Sequence, residues 1–300
     1  MAATQSIERG VLAGAASGRF WRHVAWRRFR SNGVALAAAV FLLFTYAVAA
    51  LGPLISPYPP NDVDIMNTNA SLSRAHWLGT DENGRDVLSR LIAGARTSMT
   101  VGLIAMIIAI AIGALAGSLS GYLGGLTDSV LMRLADGMMA IPYFFLVLIV
   151  VAVFGSSFRN IVVVIGVTSW MVVARIVRGE VLRHRGLDFV LAAQAMGATR
   201  ARVLVRHVLP QTVPSIIVAA TLGVANAILL ESALSYLGLG IQPPQASWGN
   251  MLSNAQAYVW QNPILPVYPG LLILCTVLAY NFLGDALRDA LDPRYRESNL

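Results

Sequence analysis

Six long apolar runs alternate with polar stretches along the chain, and this alternation predicts its architecture. The runs cover Gly33 to Leu51, Ser98 to Ser120, Gly137 to Phe154, Ile161 to Val177, Thr212 to Ser235 and Val267 to Leu283. About 20 apolar residues in a helix cross the ~30 Å hydrocarbon layer of a bilayer, and a helix satisfies its own backbone there. The pattern therefore predicts an all-α membrane protein with six transmembrane helices. The third run grows out of an amphipathic stretch starting at Leu126, where Asp128, Arg133 and Asp136 mark an aqueous end. Pro142 is expected to kink it. In the second run Gly113 and Gly117 form a small-xxx-small pair suited to close helix packing. Ala47-Val48-Ala49 resembles a signal-peptidase site, but the first run is longer than a signal core and follows a long basic lead.

The polar stretches differ in kind. Residues 1–32 form a basic arm in which Trp21 and Trp26 suit a membrane interface. Residues 52–97 form a loop that opens on proline-rich turns and closes on HWLGTDENGRDVLSRLIAGART, from His76 to Thr97. Residues 236–266 form a second loop, with Trp248 and Trp260. Between the fourth and fifth runs lies GLDFVLAAQAMGATRARVLVRHVLP, Gly186 to Pro210. Its pattern is two short helices around a break. Leu187, Val190 and Leu191 share one face of the first helix at helical spacing. Gly197 interrupts as a C-cap glycine would. Thr199 can cap a second helix with Ala201, Leu204, Val205 and Val208 on its apolar face, and Pro210 is expected to end it. Such a helix–turn–helix at a membrane surface would serve as a docking knob for a soluble partner.

Composition agrees with a lipid solvent. The chain is 56% hydrophobic and 12% charged, with mean hydropathy +0.65, against about 25% charged residues in soluble domains. All 22 basic residues are arginine. A phosphate-binding P-loop needs a lysine, as does a Schiff-base enzyme, so this chain can run neither chemistry alone. Arginine also sets the topology. Seventeen fall in the arm, at Arg133, in the 175–206 region and in the tail, while Arg74, Arg85, Arg90, Arg96 and Arg159 lie on the opposite side. The positive-inside rule then makes both termini and the knob cytoplasmic. The same rule accounts for the net charge of +7 without nucleic acid. The lone Cys275 offers no disulfide, and scattered histidines with one cysteine make no metal site.

Few residues stand out as candidates for chemistry. Glu231 is the one acidic residue well inside a predicted span. An intramembrane carboxylate suggests a contact with substrate or a proton. The plainer reading is a structural carboxylate near the outer end of the fifth span, paired with backbone or arginine. Asn226 is expected on the same broad face. In the external loop Asp81, Arg85, Asp86 and Arg96 alternate in charge, and Asp86 and Arg90 are spaced to pair on a helix. There is no HExxH motif, and His23, His76, His184 and His207 lie in loops or the arm, which argues against a serine protease. Arg200, Arg202 and Arg206 could meet lipid phosphates or nucleic acid, or could serve as topology charges.

Several of these stretches together resemble a family. Leu191-Ala192-Ala193, Gly197-Ala198 and Leu209-Pro210 are similar to the cytoplasmic EAA loop of ABC importer permeases, with Leu191 in place of the glutamate of the name. His76 to Asp81, Gly84-Arg85-Asp86 and Gly94-Ala95-Arg96 resemble the external loop of the C-type subunit of dipeptide, oligopeptide and nickel importers. ESALSYLGLG, from Glu231 to Gly240, is similar to that family's fifth-span exit, and Leu291-Asp292-Pro293-Arg294 resembles its tail. The resemblance implies a type I importer permease of MetI-like fold. Its parts would be an arm (1–32), a first helix (33–51), an external loop (52–97), a five-helix permease domain (98–287) and a cytoplasmic tail (288–300). It implies a non-catalytic half-channel in a bacterial inner membrane, for short peptides or a related solute. It also implies a homologous B-type permease as partner in a heterodimer, a soluble binding protein outside and two ATPase subunits inside. ATP and Mg would be bound by the ATPases, and the chain itself would hold no cofactor. Leu191, Ala192, Ala193, Gly197, Ala198, Arg202, Leu209 and Pro210 would form the ATPase-coupling loop. The residues alone leave open a proton-coupled carrier using Glu231 and a membrane scaffold.

Overall fold

The structure, a computed structural model, describes residues 29–291. The arm before residue 29, with Trp21 and Trp26, and the tail motif from Asp292 onward lie outside the described residues. The elements are α1 (Gly33–Ile55), a 3-10 turn (Ile65–Asn67), α2 (Val87–Leu123), α3 (Gly125–Met139) and α4 (Tyr143–Phe154). After these come α5 (Phe158–His184), α6 (Asp188–Ala195), α7 (Arg200–Val203), a π segment (Leu204–Val208), α8 (Leu209–Tyr236), α9 (Trp248–Ala257) and α10 (Val267–Leu291). Among the described residues the only β pairing is an isolated bridge between Thr80 and Asp86.

Contacts along the helices fix their directions. Gly113 of α2 meets Val173 of α5 and Gly121 meets Val181, so these two helices run parallel. Gly102 meets Ile228, and Ser98 bonds Glu231, so α8 runs antiparallel to α2. Gly52 at the end of α1 meets Ile92 near the start of α2. Residues 56–86 and α9 therefore lie at one end of the bundle, called the outer end here. The knob lies at the other, with the start of α1 and the end of α10.

The glycine pair of the second run does what its spacing implies. A Cβ at Gly113 would lie 2.7 Å from the Trp170 carbonyl oxygen, and one at Gly117 would strike the carbonyl of Ala174. Gly121, one further turn along, would put a Cβ 2.9 Å from the Arg178 carbonyl. With no side chain there, the two helix backbones approach directly, which is how small-xxx-small faces pack where lipid removes the hydrophobic drive between helices.

Several boundaries differ from the sequence reading. The first helix runs past Leu51 to Ile55, carrying Pro53 within its last turn. The second begins at Val87, eleven residues before Ser98, because Asp86 caps it there through Ser89 N. Its 37 residues span about 55 Å, well beyond the hydrocarbon. The third run is not one kinked span. α3 and α4 meet at 88° around Pro142, and α4 alone has 12 residues, about 18 Å. Among the described residues five helices are long and apolar enough to cross, and the bent pair supplies a sixth crossing only when taken together. Leu126, Val130 and Leu134 of α3 are exposed at i, i+4, i+8, so α3 turns one apolar face outward, as an interfacial helix does.

Candidate functional site

The knob forms from local signals and is then anchored from below. At the end of α6 the Ala198 N–H donates to the Ala193 carbonyl (3.1 Å) and the Gly197 N–H to that of Gln194 (2.9 Å). This is a Schellman closure, and Gly197 supplies its left-handed residue at φ +84°. Thr199 caps α7 by accepting from Arg202 N. The buried faces differ from the expected ones. Val190 and Ala193 of α6, with Val203 and Val208, enter the main core beside Val173, Val177 and Val181 of α5. Leu187, Leu191 and Val205 are exposed, as is Ala201. Pro210 does not end the second helix. It is the second residue of α8, and the π segment Leu204–Val208 just before it carries the chain through from α7 without a break.

What the knob leaves in solvent is apolar at its tip and basic on its flank. Phe189, Leu191 and Met196 are exposed, with Met196 at 82%. Ala192 is also exposed, Ala198 half-buried, and Arg200, Arg202 and Arg206 are exposed beside them. Leu209 is half-buried at the hinge into α8.

A set of polar ties joins the knob end to the spans. Arg178 donates to both oxygens of Asp128 at 2.6 and 2.7 Å, and Ser120 bonds the same carboxylate. Arg175 pairs with Asp136. Arg185, the C-cap of α5, donates to the Gly121 carbonyl at 2.8 Å. Ser215 of α8 donates to Glu180 at 2.9 Å. Helices α2, α3, α5 and α8 are thus fastened together beside the knob. The charges are plain in the sequence but the pairs are not, because the partners come from distant segments.

At the outer end a second cluster locks the helices. Glu231 is fully buried. Its carboxylate accepts from Ser98 (2.9 Å) and Ser235 (2.7 Å), and not from arginine or backbone. Those hydroxyls in turn accept from Trp248 N, in the first turn of α9, and from Ile241 N. The Trp248 indole is buried against Gly94 and donates to the Leu91 carbonyl at 3.2 Å. Asn226 does not share the face of Glu231. It is exposed and lines a cavity that Glu231 does not reach.

The external candidates also regroup. Arg90 pairs with Asp81 at 3.3 Å rather than with Asp86. Asp81 further accepts from Arg85 Nε at 2.7 Å. Asp86 instead caps α2 and bonds His76 at 3.0 Å. Arg96 stays apart from this cluster, exposed in a separate cavity. Nearby, Asp64 accepts from Asn67 Nδ2 and Met66 N, which hold its carboxyl below the ordinary range.

Between α3, α4, α5 and α8 lies a cavity of about 690 Å³. Its wall includes Met106, Met138, Met139 and Met171, with Tyr143 and Asn226 among the polar members and no charged side chain. Tyr143 and Ser169 bond each other there at 2.7 Å. The methionines gave no signal in sequence, since they are spread over three apolar runs, Met106 in one, Met138 and Met139 in the next and Met171 in a third. No group of three or more metal-ligating side chains occurs among the described residues.

Comparison with known proteins agrees across the chain. Residues 109–297 match the model of the binding-protein-dependent transport system inner membrane component family. Residues 19–72 match the N-terminal transmembrane domain of oligopeptide transport permease C. The glutathione transport system permease protein GsiD of Shigella flexneri is 44% identical over 275 residues, 91% of each chain. A Brucella suis protein named as a peptide permease is 43% identical over 269 residues, 89% of each. Among solved structures, the MetNI methionine ABC transporter aligns with TM-score 0.55 at 19% identity, over 69% of this chain and 96% of that one. At that identity the likeness speaks to fold alone.

Proposed function

We propose a role in short-peptide uptake from one premise: the chain belongs to the binding-protein-dependent transport system inner membrane component family and is a permease subunit of an ABC importer. The chain forms half of the translocation pathway, opposite a homologous permease, in a bacterial inner membrane with both termini cytoplasmic. A soluble binding protein delivers substrate at the outer end. Two ATPase subunits hold ATP and Mg and dock at the knob, so this chain catalyses no reaction of its own. Leu191, Ala192, Gly197, Ala198 and Arg202 form the docking face, while Ala193, Leu209 and Pro210 carry its movement into α8.

The observation that best supports the pathway is the uncharged cavity beside α4, α5 and α8. Peptides share a polar backbone but differ in side-chain charge, and a charged wall would discriminate among them. Methionine is flexible and polarisable, and it accommodates varied shapes. Asn226→Asp tests this. A like charge a few ångströms from an anionic peptide costs about 1 kcal/mol or more. Uptake of an anionic dipeptide relative to a neutral one is therefore expected to fall about fivefold. An unchanged ratio removes the cavity from the pathway.

The knob assignment has its own test. Gly197 sits at φ +84° and its N–H bonds Gln194. Proline can supply neither. Gly197→Pro is expected to abolish copurification of the ATPase subunits while membrane insertion continues. Normal copurification and transport would refute the assignment. The proton-coupled carrier reading lacks support, since Glu231 is enclosed by serine hydroxyls and lies outside the uncharged cavity.

A further inference from the structure

The external arginines behave in two ways. Arg85 and Arg90 are buried in ion pairs with Asp81. Arg96 is exposed, and its guanidinium makes no hydrogen bond or ion pair among the described residues. It lines a cavity of about 580 Å³ formed by the end of α1, the second and third turns of α2, the start of α5 and the segment before α9. Asn61 and Gln245 contribute neutral polar groups, while Pro53, Ile92 and Phe158 contribute apolar wall. Among the described residues no acidic side chain lines it. One unpaired guanidinium in a half-apolar cavity without acids fits an anionic head on an apolar body, because a guanidinium recognises phosphate and carboxylate oxygens directly.

Depth decides between these sources. α1 has 23 residues, about 35 Å of helix, just enough to cross the ~30 Å hydrocarbon. Its last turn therefore lies at the membrane interface, and that turn supplies Gly52, Pro53 and the adjoining Ser56 to the cavity. Leu51, Leu54 and Ile55 flank them and are exposed, Leu54 at 83%. The cavity thus opens beside an apolar strip at headgroup level. A free peptide would use the cation but has no need of that strip, whereas acyl chains would cover it.

We propose that this cavity is a binding site for an anionic phospholipid, with the phosphate on Arg96 and the acyl chains along the end of α1. The assembled importer, purified from its own membrane, is analysed for bound lipid by native mass spectrometry as wild type, R96Q and R74Q. Arg74 is an exposed arginine outside the cavity. Retained phosphatidylglycerol is expected to fall at least threefold in R96Q and to stay at the wild-type level in R74Q. Independently of any variant, wild-type importer in phosphatidylglycerol nanodiscs is expected to melt several degrees above that in phosphatidylcholine. Equal retention in R96Q and wild type overturns the proposal, as does equal melting in the two lipids. It is also overturned if R96Q leaves lipid unchanged but removes a transport preference for a free peptide carboxylate over its amide. That result would make the cavity a substrate site.

Discussion

Gly117→Val is expected to prevent stable folding of the permease. A β-carbon there strikes the backbone carbonyl of Ala174, and Val177 crowds the same point at 2.9 Å. Backbone cannot swing aside as a side chain can, so relief requires prying α2 from α5 along the whole Gly113–Gly121 face. Overpacking costs about 1–3 kcal/mol and occasionally more, and a clash with backbone falls at the upper end, a large share of a marginal stability. The natural comparison is Gly137→Val in α3, where a new Cβ meets nothing within 4 Å. Detergent-solubilised thermal midpoints and yields of monodisperse protein should separate the two sharply. Equal behaviour would mean that the α2–α5 contact does not hold the bundle together.

The second large effect belongs to Glu231. Glu231→Leu removes the acceptor for Ser98 and Ser235, which in turn hold Trp248 N and Ile241 N. Each buried hydroxyl whose proton is left without an acceptor costs about 1–3 kcal/mol, and the loss falls where α2, α8 and α9 meet. The start of α9 should loosen first, exposing the buried Trp248 indole. Its fluorescence should shift red and become quenchable by aqueous iodide. Glu231→Gln keeps one amide oxygen as acceptor and should retain most of the stability and uptake. If uptake is instead lost in the glutamine variant while Trp248 remains protected, Glu231 carries a charge-dependent step and is more than a clasp.

Much of this was legible in the residues. The six apolar runs, the Gly113/Gly117 face, the break at Gly197 and the Thr199 cap are all local signals, each written within one or two turns of chain. What escaped depends on residues far apart. Ser98 and Glu231 are 133 positions apart, and no periodicity in either segment points to the other. Arg90 looked matched to Asp86 by helical spacing, but Asp86 is the helix cap and its oxygens face Ser89 and His76. Pro142 signalled a bend without its size. The 88° turn follows because α3 is amphipathic and stays at a surface while α4 is apolar throughout. The second helix of the knob runs on past Pro210 because the π segment Leu204–Val208 just before it carries the helix through the proline.

The leucine in the acidic position of the knob is also explained by where it lies. Leu191 is half exposed beside Phe189 and Met196, so it extends an apolar tip rather than burying an unpaired group. Leu191→Glu should therefore fold normally and alter affinity for the ATPase subunits without disturbing α6. Circular dichroism and ATPase pull-down, run together, check both halves of that statement.

We propose that the energy for transport enters this chain from separate subunits through the knob. The direct measurement is substrate flux into proteoliposomes containing the two permeases, with and without the ATPase subunits, under ATP or under a proton gradient. Flux is expected only when ATPases, ATP and the binding protein are all present, and it should vanish with Gly197→Pro. Uptake by the permeases alone, driven by a proton gradient, would contradict the account.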